Sequence, residues 1–355
     1  MQVLDCNSEH LGIDALALHL PDRSMTPKQY LASPRVPFSV EQMQKDWHDT
    51  FIEPEHVFRF FTNQVSFATS HLPLLEEFAS ESGCNVVYIS RQPSSDMAVE
   101  AARKLIRISP EIIHSTQAVI YYSSTLSTEP ACSTPCRLQH ELGLKGSDAF
   151  GVAQKGANVE FVALKLAAEM ILAEDVNTTL LVGSERFVPP YERLFQNLAL
   201  FGDSASAMVV SCEAYDFRLL YLSVKDHCGL LSQNGADSVR IIPELMVQKA
   251  ALALREILEV SGLSAERIGA VLAPNLSVKL LRRISVEADV PWRTIYLGAL
   301  RQGGCLGSSD LVASLYYALN DGSLNPGDLI VALGISAECS TACCLFRYEP
   351  RRART

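Results

Sequence analysis

One pattern of apolar and polar positions occurs twice along this chain. In its first copy, Gly156 opens a predicted helix that runs to about Ala173 and carries apolar side chains at helical spacing on one face: Val159, Val162, Ala163, Leu166 and Met170. Further apolar residues fill much of the other face, and a helix that is apolar nearly all round is typical of a core. A polar turn at 174–177 and the apolar strand TTLLVGSE follow the predicted helix.

The second copy lies near the carboxyl end of the sequence. The glycine-rich segment GGCLGSSD (303–310) precedes the predicted helix LVASLYYALNDG, and a turn at 324–327 leads into the strand DLIVALGIS. Uninterrupted apolar strands of this kind are typical of parallel strands buried on both faces. A further short strand is predicted in each half, AVIYYSS (118–124) in the first and AVLAPNLS (270–277) in the second.

The repeat predicts a duplicated α/β fold. Two similar halves with central helices between sheets make an α/β/α/β/α arrangement of five layers. We place the halves at residues 1–212 and 213–355, with the boundary after the strand SAMVVS. Residues 40–85 fit the repeat poorly and are rich in aromatic residues. We predict an insertion there that caps a pocket or extends a subunit interface, with a peripheral helix as the alternative.

Composition and charge narrow the classes of function. The chain has 355 residues, 48% of them hydrophobic, and a net charge of −10. This acidic balance argues against a general nucleic-acid or anionic-membrane binder. No apolar run reaches the roughly 18 residues of a membrane span, and MQVLDCNSEHLG lacks the layout of a signal peptide. We therefore expect a cytoplasmic protein without nucleic-acid or membrane partners.

The ten cysteines do not form a zinc pattern. Cys132 and Cys136 have the spacing of half a metal site, but no second cysteine or histidine pair follows at zinc spacing. We expect reduced thiols and no metal site.

Several segments, in the same order, resemble the β-ketoacyl-acyl-carrier-protein synthase III family of the thiolase superfamily. They are SDMAVEAARKLI (95–106), STPCRLQHELGLKGSDAFGVAQ (133–154), FGDSASAMVV (201–210) and the segment from GGCLGSSD to DLIVALGIS (303–336). The resemblance covers most of the chain. It implies a thiolase-like five-layered fold and an acyl-thioester pathway of fatty-acid or polyketide type, in specialised metabolism.

The resemblance also implies where catalytic groups should stand. The family uses a cysteine that is acylated, with a histidine and an asparagine that bind the thioester carbonyl. The matching positions in this chain are Gly156, Pro274 and Gly304. All three acting groups are therefore absent at their matched positions, which argues against the ordinary condensation reaction.

Three other residues are candidates for remaining chemistry. Cys305 lies in a glycine-rich turn before a helix, where the pKa of a thiol can fall; the alternative is a small residue packed beneath the helix. Asn275 could donate a hydrogen bond to a carbonyl oxygen. Glu160 is an isolated carboxylate on an apolar helix, suited to a general base or to a structural contact.

A basic cluster suggests an anionic partner. Lys279, Arg282 and Arg283 lie within KLLRR, and in the resembled family a basic residue matching Lys279 lies near the mouth of the substrate tunnel. The cluster predicts docking of an acyl carrier protein or of coenzyme A; the alternative is a solvated helix face. The resemblance implies no resident cofactor, with a coenzyme A or phosphopantetheine thioester as the substrate.

Three functions remain open from the sequence. The first is a non-catalytic subunit, in a homodimer or in a heterodimer with an active ketosynthase III paralogue. The second is a divergent acyltransferase or condensing enzyme that uses direct transfer or a relocated nucleophile. The third is a module that binds acyl thioesters without turnover.

Overall fold

A computed structural model of the chain describes residues 3–6, 10–32, 82–125, 132–188, 193–195, 198–213, 215–227, 238–336 and 340–350. Its strands are β1 (Leu4–Asp5), β2 (Gly12–His19), β3 (Ser24–Met25), β4 (Val87–Tyr88), β5 (Ala118–Tyr122), β6 (Asp148–Val152), β7 (Thr178–Glu185), β8 (Leu194–Phe195), β9 (Ala199–Leu200), β10 (Ser204–Ser211), β11 (Phe217–Asp226), β12 (Ile268–Leu272), β13 (Leu329–Ser336) and β14 (Ser340–Tyr348).

The helices are α1 (Pro27–Ala32), α2 (Ser94–Ile108), α3 (Ile112–Ser115), α4 (Thr134–Glu141), α5 (Val159–Leu172), α6 (Ser238–Ser261), α7 (Val278–Glu287), α8 (Gly298–Gln302) and α9 (Asp310–Asn320). Short 3-10 turns precede the two central helices, at Gly156–Asn158 before α5 and at Gly307–Ser309 before α9. None of the helices in the described ranges is long and apolar enough to cross a membrane.

A large mixed sheet is the centre of the molecule. Its strands lie in the order β12-β13-β14-β11-β2-β10-β7-β5-β6, and β1 also pairs with β11. The sheet has two halves that meet where β2 pairs with β11 at two residues only, Ile13 with Phe217 and Gly12 with Arg218. A Cβ atom on Gly12 would lie 2.2 Å from the carbonyl oxygen of Phe217, so this junction requires a glycine.

The two halves have the same strand arrangement. In the first half, the strands lie in the order β6-β5-β7-β10-β2, and β5 is parallel to both β6 and β7. In the second half, the order is β12-β13-β14-β11, and Ile295 forms a single parallel bridge to Val271 of β12 at the place that β6 has in the first half. The topology thus contains the internal repeat that the sequence indicates. The proposed boundary at residue 212 lies between β10 and β11 and stays a prediction.

Three apolar clusters lie between the five layers of helices and half-sheets and pack them together. The central cluster joins α5 and α9 to the inner faces of both half-sheets, with Leu181 from β7 and Ile330 from β13 among its members. A second cluster packs α2 and α4 on the outer face of the first half-sheet, and a third packs α6 and α7 on the outer face of the second. The predicted thiolase-like α/β arrangement is confirmed. Burial of these clusters is the main stabilising contribution to such a fold.

The predicted elements agree closely with the observed ones. The strand TTLLVGSE is β7, residue for residue, and all eight of its residues are buried. The first central helix begins at Val159 rather than at Gly156, because residues 156–158 form a 3-10 turn. The strand predicted at 270–277 begins at Ile268 and ends at Leu272, before Pro274, which lacks the N–H that a strand ladder needs. Most of the predicted insertion at 40–85 lies outside the described residues, and its role stays a prediction.

Candidate active site

The candidate site lies where the turns before the two central helices pack against each other. Gly156 opens the first turn with a φ of +50°, and Gly307 opens the second with a φ of +60°. Left-handed backbone of this kind favours glycine. The two glycines are equivalent in the internal repeat, and the site is therefore built from both halves of the chain.

Glu160 binds the start of the opposite central helix. Its carboxylate accepts hydrogen bonds from the backbone N–H groups of Leu311 (3.0 Å) and Val312 (3.3 Å), in the first turn of α9. It also accepts one from the hydroxyl of Tyr122 (3.2 Å). A carboxylate at a helix N-terminus satisfies N–H groups that have no partner within the helix. Burial nevertheless raises the pKa of Glu160 well above its usual value.

A close approach between two strands places Tyr122 beneath Glu160. Tyr122 and Gly183 are register partners in β5 and β7. A Cβ atom on Gly183 would lie 2.1 Å from the Tyr122 ring, so the ring occupies the space that the glycine leaves. The Tyr122 hydroxyl also bonds the hydroxyl of Ser206 (3.0 Å), which fixes its position. Glu160 thus has the contacts of a structural group.

Asp310 brings together the other two candidates, Asn275 and Cys305. Its carboxylate accepts from the backbone N–H (3.0 Å) and side-chain amide (2.8 Å) of Asn275, and from the backbone N–H of Leu306 (2.8 Å). The Cys305 thiol lies 3.8 Å from the same carboxylate. Burial raises the pKa of Asp310 to about 6, although these donors favour its ionised form.

Cys305 lies in an environment that opposes thiolate formation. Its side chain is buried, and burial together with the negative charge of Asp310 raises the pKa of the thiol well above its usual value. A reactive cysteine needs the opposite environment, electropositive and partly exposed. The lowered pKa that the sequence suggested for the Cys305 thiol is therefore wrong, because burial, and then the negative charge of Asp310, disfavours the thiolate.

Pro274 and Gly304, two of the positions where the resemblance implies catalytic groups, have different surroundings. Pro274 lines the cavity between the two turns. Gly304 has a φ of +75°, and a Cβ atom there would lie 2.4 Å from the carbonyl oxygen of Val86. The backbone at Val86 thus fills the space that a side chain at position 304 would need.

The cavity between the two turns is small and mostly apolar. Its polar side chains are Asn158, Glu160 and Asp310, and the remaining lining residues are Ala157, Phe161, Leu272, Ala273, Pro274, Gly307, Leu311, Leu333, Gly334 and Ile335. Among the described residues, no cysteine, histidine, serine or lysine lines it. Asn275 and Cys305 lie behind Asp310 and do not face the cavity.

A third buried carboxylate, that of Glu185, fixes the outer side of the glycine turn. Glu185, at the end of β7, accepts from the backbone N–H groups of Ser124 (2.6 Å) and Thr125 (3.0 Å) and from the hydroxyl of Ser308. Burial raises the pKa of Glu185 as well. No pattern in the sequence singled out Glu185, Asp310 or Asn158. Two features of the sequence could have indicated the carboxylates. Glu185 is an acidic residue at the end of an apolar strand, and Asp310 is an acidic residue at the start of a buried helix.

The basic cluster lies on α7, outside the cavity. The Arg282 guanidinium stacks over the Trp292 ring, 4.8 Å from its centroid, and Arg283 forms an ion pair with Glu244. Lys279 is exposed on the same helix. The side chains of Cys132 and Cys136 are exposed, and within the described residues no three metal-binding side chains cluster.

Comparisons with known proteins agree with this architecture. The family 3-Oxoacyl-[acyl-carrier-protein (ACP)] synthase III matches residues 156–226. A beta-ketoacyl-[acyl-carrier-protein] synthase III of Aquifex aeolicus is 23% identical over 267 residues, which covers 71% of this chain and 83% of the relative. The corresponding protein of Ehrlichia ruminantium is 25% identical and covers 72% of this chain and 84% of the relative.

Solved structures give the same result. The 3-oxoacyl-[acyl-carrier-protein] synthase III of Aquifex aeolicus superposes with a TM-score of 0.72 at 19% identity, covering 95% of this chain and all of that chain. The acyltransferase ChlB3 superposes with a TM-score of 0.70 at 18% identity, covering 96% and 98%. The chain therefore has the ketosynthase III fold, and its sequence supports the relation to that family.

Proposed function

We propose that this ketosynthase III-like protein serves an acyl-thioester pathway as a non-catalytic subunit that pairs with an active ketosynthase. The observation that carries the proposal is the lining of the cavity. Among the described residues it offers no nucleophile, and its two carboxylates are engaged with backbone N–H groups. Covalent catalysis requires a nucleophile that a neighbouring base activates.

The edge of the first half-sheet supports pairing with a second subunit. Strand β6 is the last strand of the described sheet and pairs on one side only, with β5. Phe150 and Val152 of this strand are only partly buried. An edge strand that is left open in this way readily adds a strand from another chain. We propose β6 as the contact with an identical chain or with an active paralogue.

The proposal is tested by looking for a covalent intermediate. We would incubate the full chain with a panel of acyl-coenzyme A and acyl-carrier-protein thioesters and measure its intact mass, with the Aquifex aeolicus synthase as positive control. We expect the unmodified mass for this chain under conditions that acylate the control. An acyl adduct that is absent in Cys305→Ala would contradict the proposal and identify Cys305 as a relocated nucleophile.

A second candidate function is direct acyl transfer without an acyl-enzyme. The observation in its favour is Asp310, which lines the cavity with a pKa raised to about 6, close to the range of a general base. In this mechanism Asp310 would take the proton from an acceptor as it attacks the acyl carbon of a bound thioester. The carbon–sulfur bond would break, and the leaving thiolate would accept that proton. Product formation from a thioester and an acceptor, lost in Asp310→Asn, would favour this candidate over the non-catalytic subunit.

The basic helix α7 supplies a partner proposal common to both candidates. Lys279 and Arg282 are exposed on one helix of an otherwise acidic protein. An acidic carrier protein would be attracted to such a surface, and the contact would weaken with salt. We propose this helix as the docking site for an acyl carrier protein or for coenzyme A.

A further inference from the structure

Asn158 carries a buried oxygen atom that the protein leaves without a hydrogen bond. The residue ends the 3-10 turn before α5, and its side chain is fully buried. Its amide nitrogen donates to the hydroxyl of Ser340 (2.8 Å), which orients the amide group. Its Oδ1 atom has no hydrogen-bond partner among the described residues. Buried amide oxygens without a partner are rare in folded proteins.

The same side chain lines the cavity between the two turns. Strand β13 lies close to the turn before α5 at Gly334. A Cβ atom on Gly334 would lie 2.3 Å from Asn158 Oδ1 and 2.6 Å from the Phe161 ring. The cavity has a water-accessible volume of about 10 Å³. A volume of this size holds about one water molecule.

The polar groups around the cavity determine what it can bind. Asn158 offers an amide oxygen, and Glu160 and Asp310 offer carboxylates. These oxygen atoms accept hydrogen bonds, so the cavity favours a small molecule that can donate two of them. A buried water typically makes about three hydrogen bonds to such groups.

We propose that this cavity is a binding site for one ordered water molecule. The water donates one hydrogen bond to Asn158 Oδ1 and the other to a carboxylate of Glu160 or Asp310. It thereby joins the turn before α5 to the turn before α9 at the point where the two halves meet. This inference does not depend on whether the protein turns over a thioester.

A crystal structure of the full chain at about 1.5 Å tests the site directly. We expect one water within hydrogen-bond distance of Asn158 Oδ1 and of one of the two carboxylates. A well-ordered Asn158 beside an empty cavity, or with Oδ1 bonded to a protein group, would overturn the proposal. The wild-type protein suffices for this experiment, so the result does not rely on a variant that folds.

Magnetic relaxation dispersion of water tests the same site in solution, because it measures water molecules that stay bound to the protein. We would compare the wild type with Asn158→Leu, which removes the oxygen and fills the space with a side chain of similar size. Ser309→Ala is the matched control, since Ser309 Oγ is also buried without a partner but does not line the cavity. We expect the signal of one long-lived water to be lost in Asn158→Leu and retained in Ser309→Ala. An equal signal in all three proteins would contradict the assignment.

Discussion

The buried carboxyl group of Asp310 makes stability depend on pH in a predictable direction. Burial raises its pKa in the folded protein from 3.8 to about 6. Between these values the folded state holds a proton that the unfolded state has released. The free energy of unfolding therefore falls as the pH rises through this window and is restored when the pH falls below it.

The size of the effect follows from the shift. A change of one pKa unit corresponds to 1.36 kcal/mol, so a shift of about two units lowers the unfolding free energy by about 3 kcal/mol at neutral pH. Glu160 and Glu185 shift in the same direction, whereas Glu244 and Asp321 shift in the opposite one. The contribution of Asp310 must therefore be isolated by a variant.

Asp310→Asn provides that isolation. The amide cannot ionise, so position 310 no longer makes the stability of the variant depend on pH. The variant also loses hydrogen bonds, because its NH₂ group faces donors from Asn275 and Leu306. We would measure urea unfolding by circular dichroism from pH 4 to pH 8. We expect the stability advantage of the wild type to shrink by about 3 kcal/mol between pH 4 and pH 7.

The prediction would be contradicted if the difference in unfolding free energy between the wild type and Asp310→Asn stayed constant from pH 4 to pH 7. In that case burial does not outweigh the hydrogen bonds that favour the ionised carboxylate. If Asp310→Asn does not fold, Asn275→Ala is the second variant. It removes one donor to the carboxylate and should move the pH-dependent window upward.

Three further predictions concern the turn, a buried ion pair and the basic helix. Gly304→Asn should lower the unfolding free energy by at least about 2 kcal/mol, because its Cβ atom would lie 2.4 Å from the Val86 carbonyl oxygen at a φ of +75°; an unchanged urea midpoint would contradict the crowding. Arg193→Met should cost about 3–5 kcal/mol in the same assay, because it leaves the buried Asp203 carboxylate, now bound at 2.7 Å, without its charge partner; a loss below 1 kcal/mol would mean that the pair is dispensable. Arg282→Glu should weaken acyl-carrier-protein binding at least about tenfold at low salt in calorimetric titration, and equal affinity for the two proteins would exclude α7 as the docking site.

The sequence was sufficient to predict the fold because the two central helices are mostly apolar and the strands that follow them contain continuous apolar runs. The strands β7 and β13 needed no information beyond their continuous apolar runs. The site was less predictable, because its decisive contacts join residues far apart in the sequence. The bond between Glu160 and Leu311 spans 151 positions, and the crowding at Gly304 comes from Val86. No local pattern contains either contact.

The pKa of the Cys305 thiol is a second property that the local sequence could not predict. A thiol near a helix start is expected to ionise more easily, and that expectation used only the neighbouring sequence. In the fold, the nearest charge is the Asp310 carboxylate, five residues further along the chain, and the site is buried. Burial decides whether the pKa of a thiol near a helix start falls or rises. The burial of Cys305 depends on how the layers of the fold pack together, which the neighbouring sequence does not show.

The contact of Glu160 with α9 has a consequence for how the chain can be divided. Glu160 belongs to the first half, yet it bonds the first N–H groups of the central helix of the second half. Neither half can complete both central helices alone, because this contact and the apolar cluster around it need residues from both. The two halves should therefore fold as one cooperative unit, and fragments cut between β10 and β11 should regain native helix content only when they are mixed.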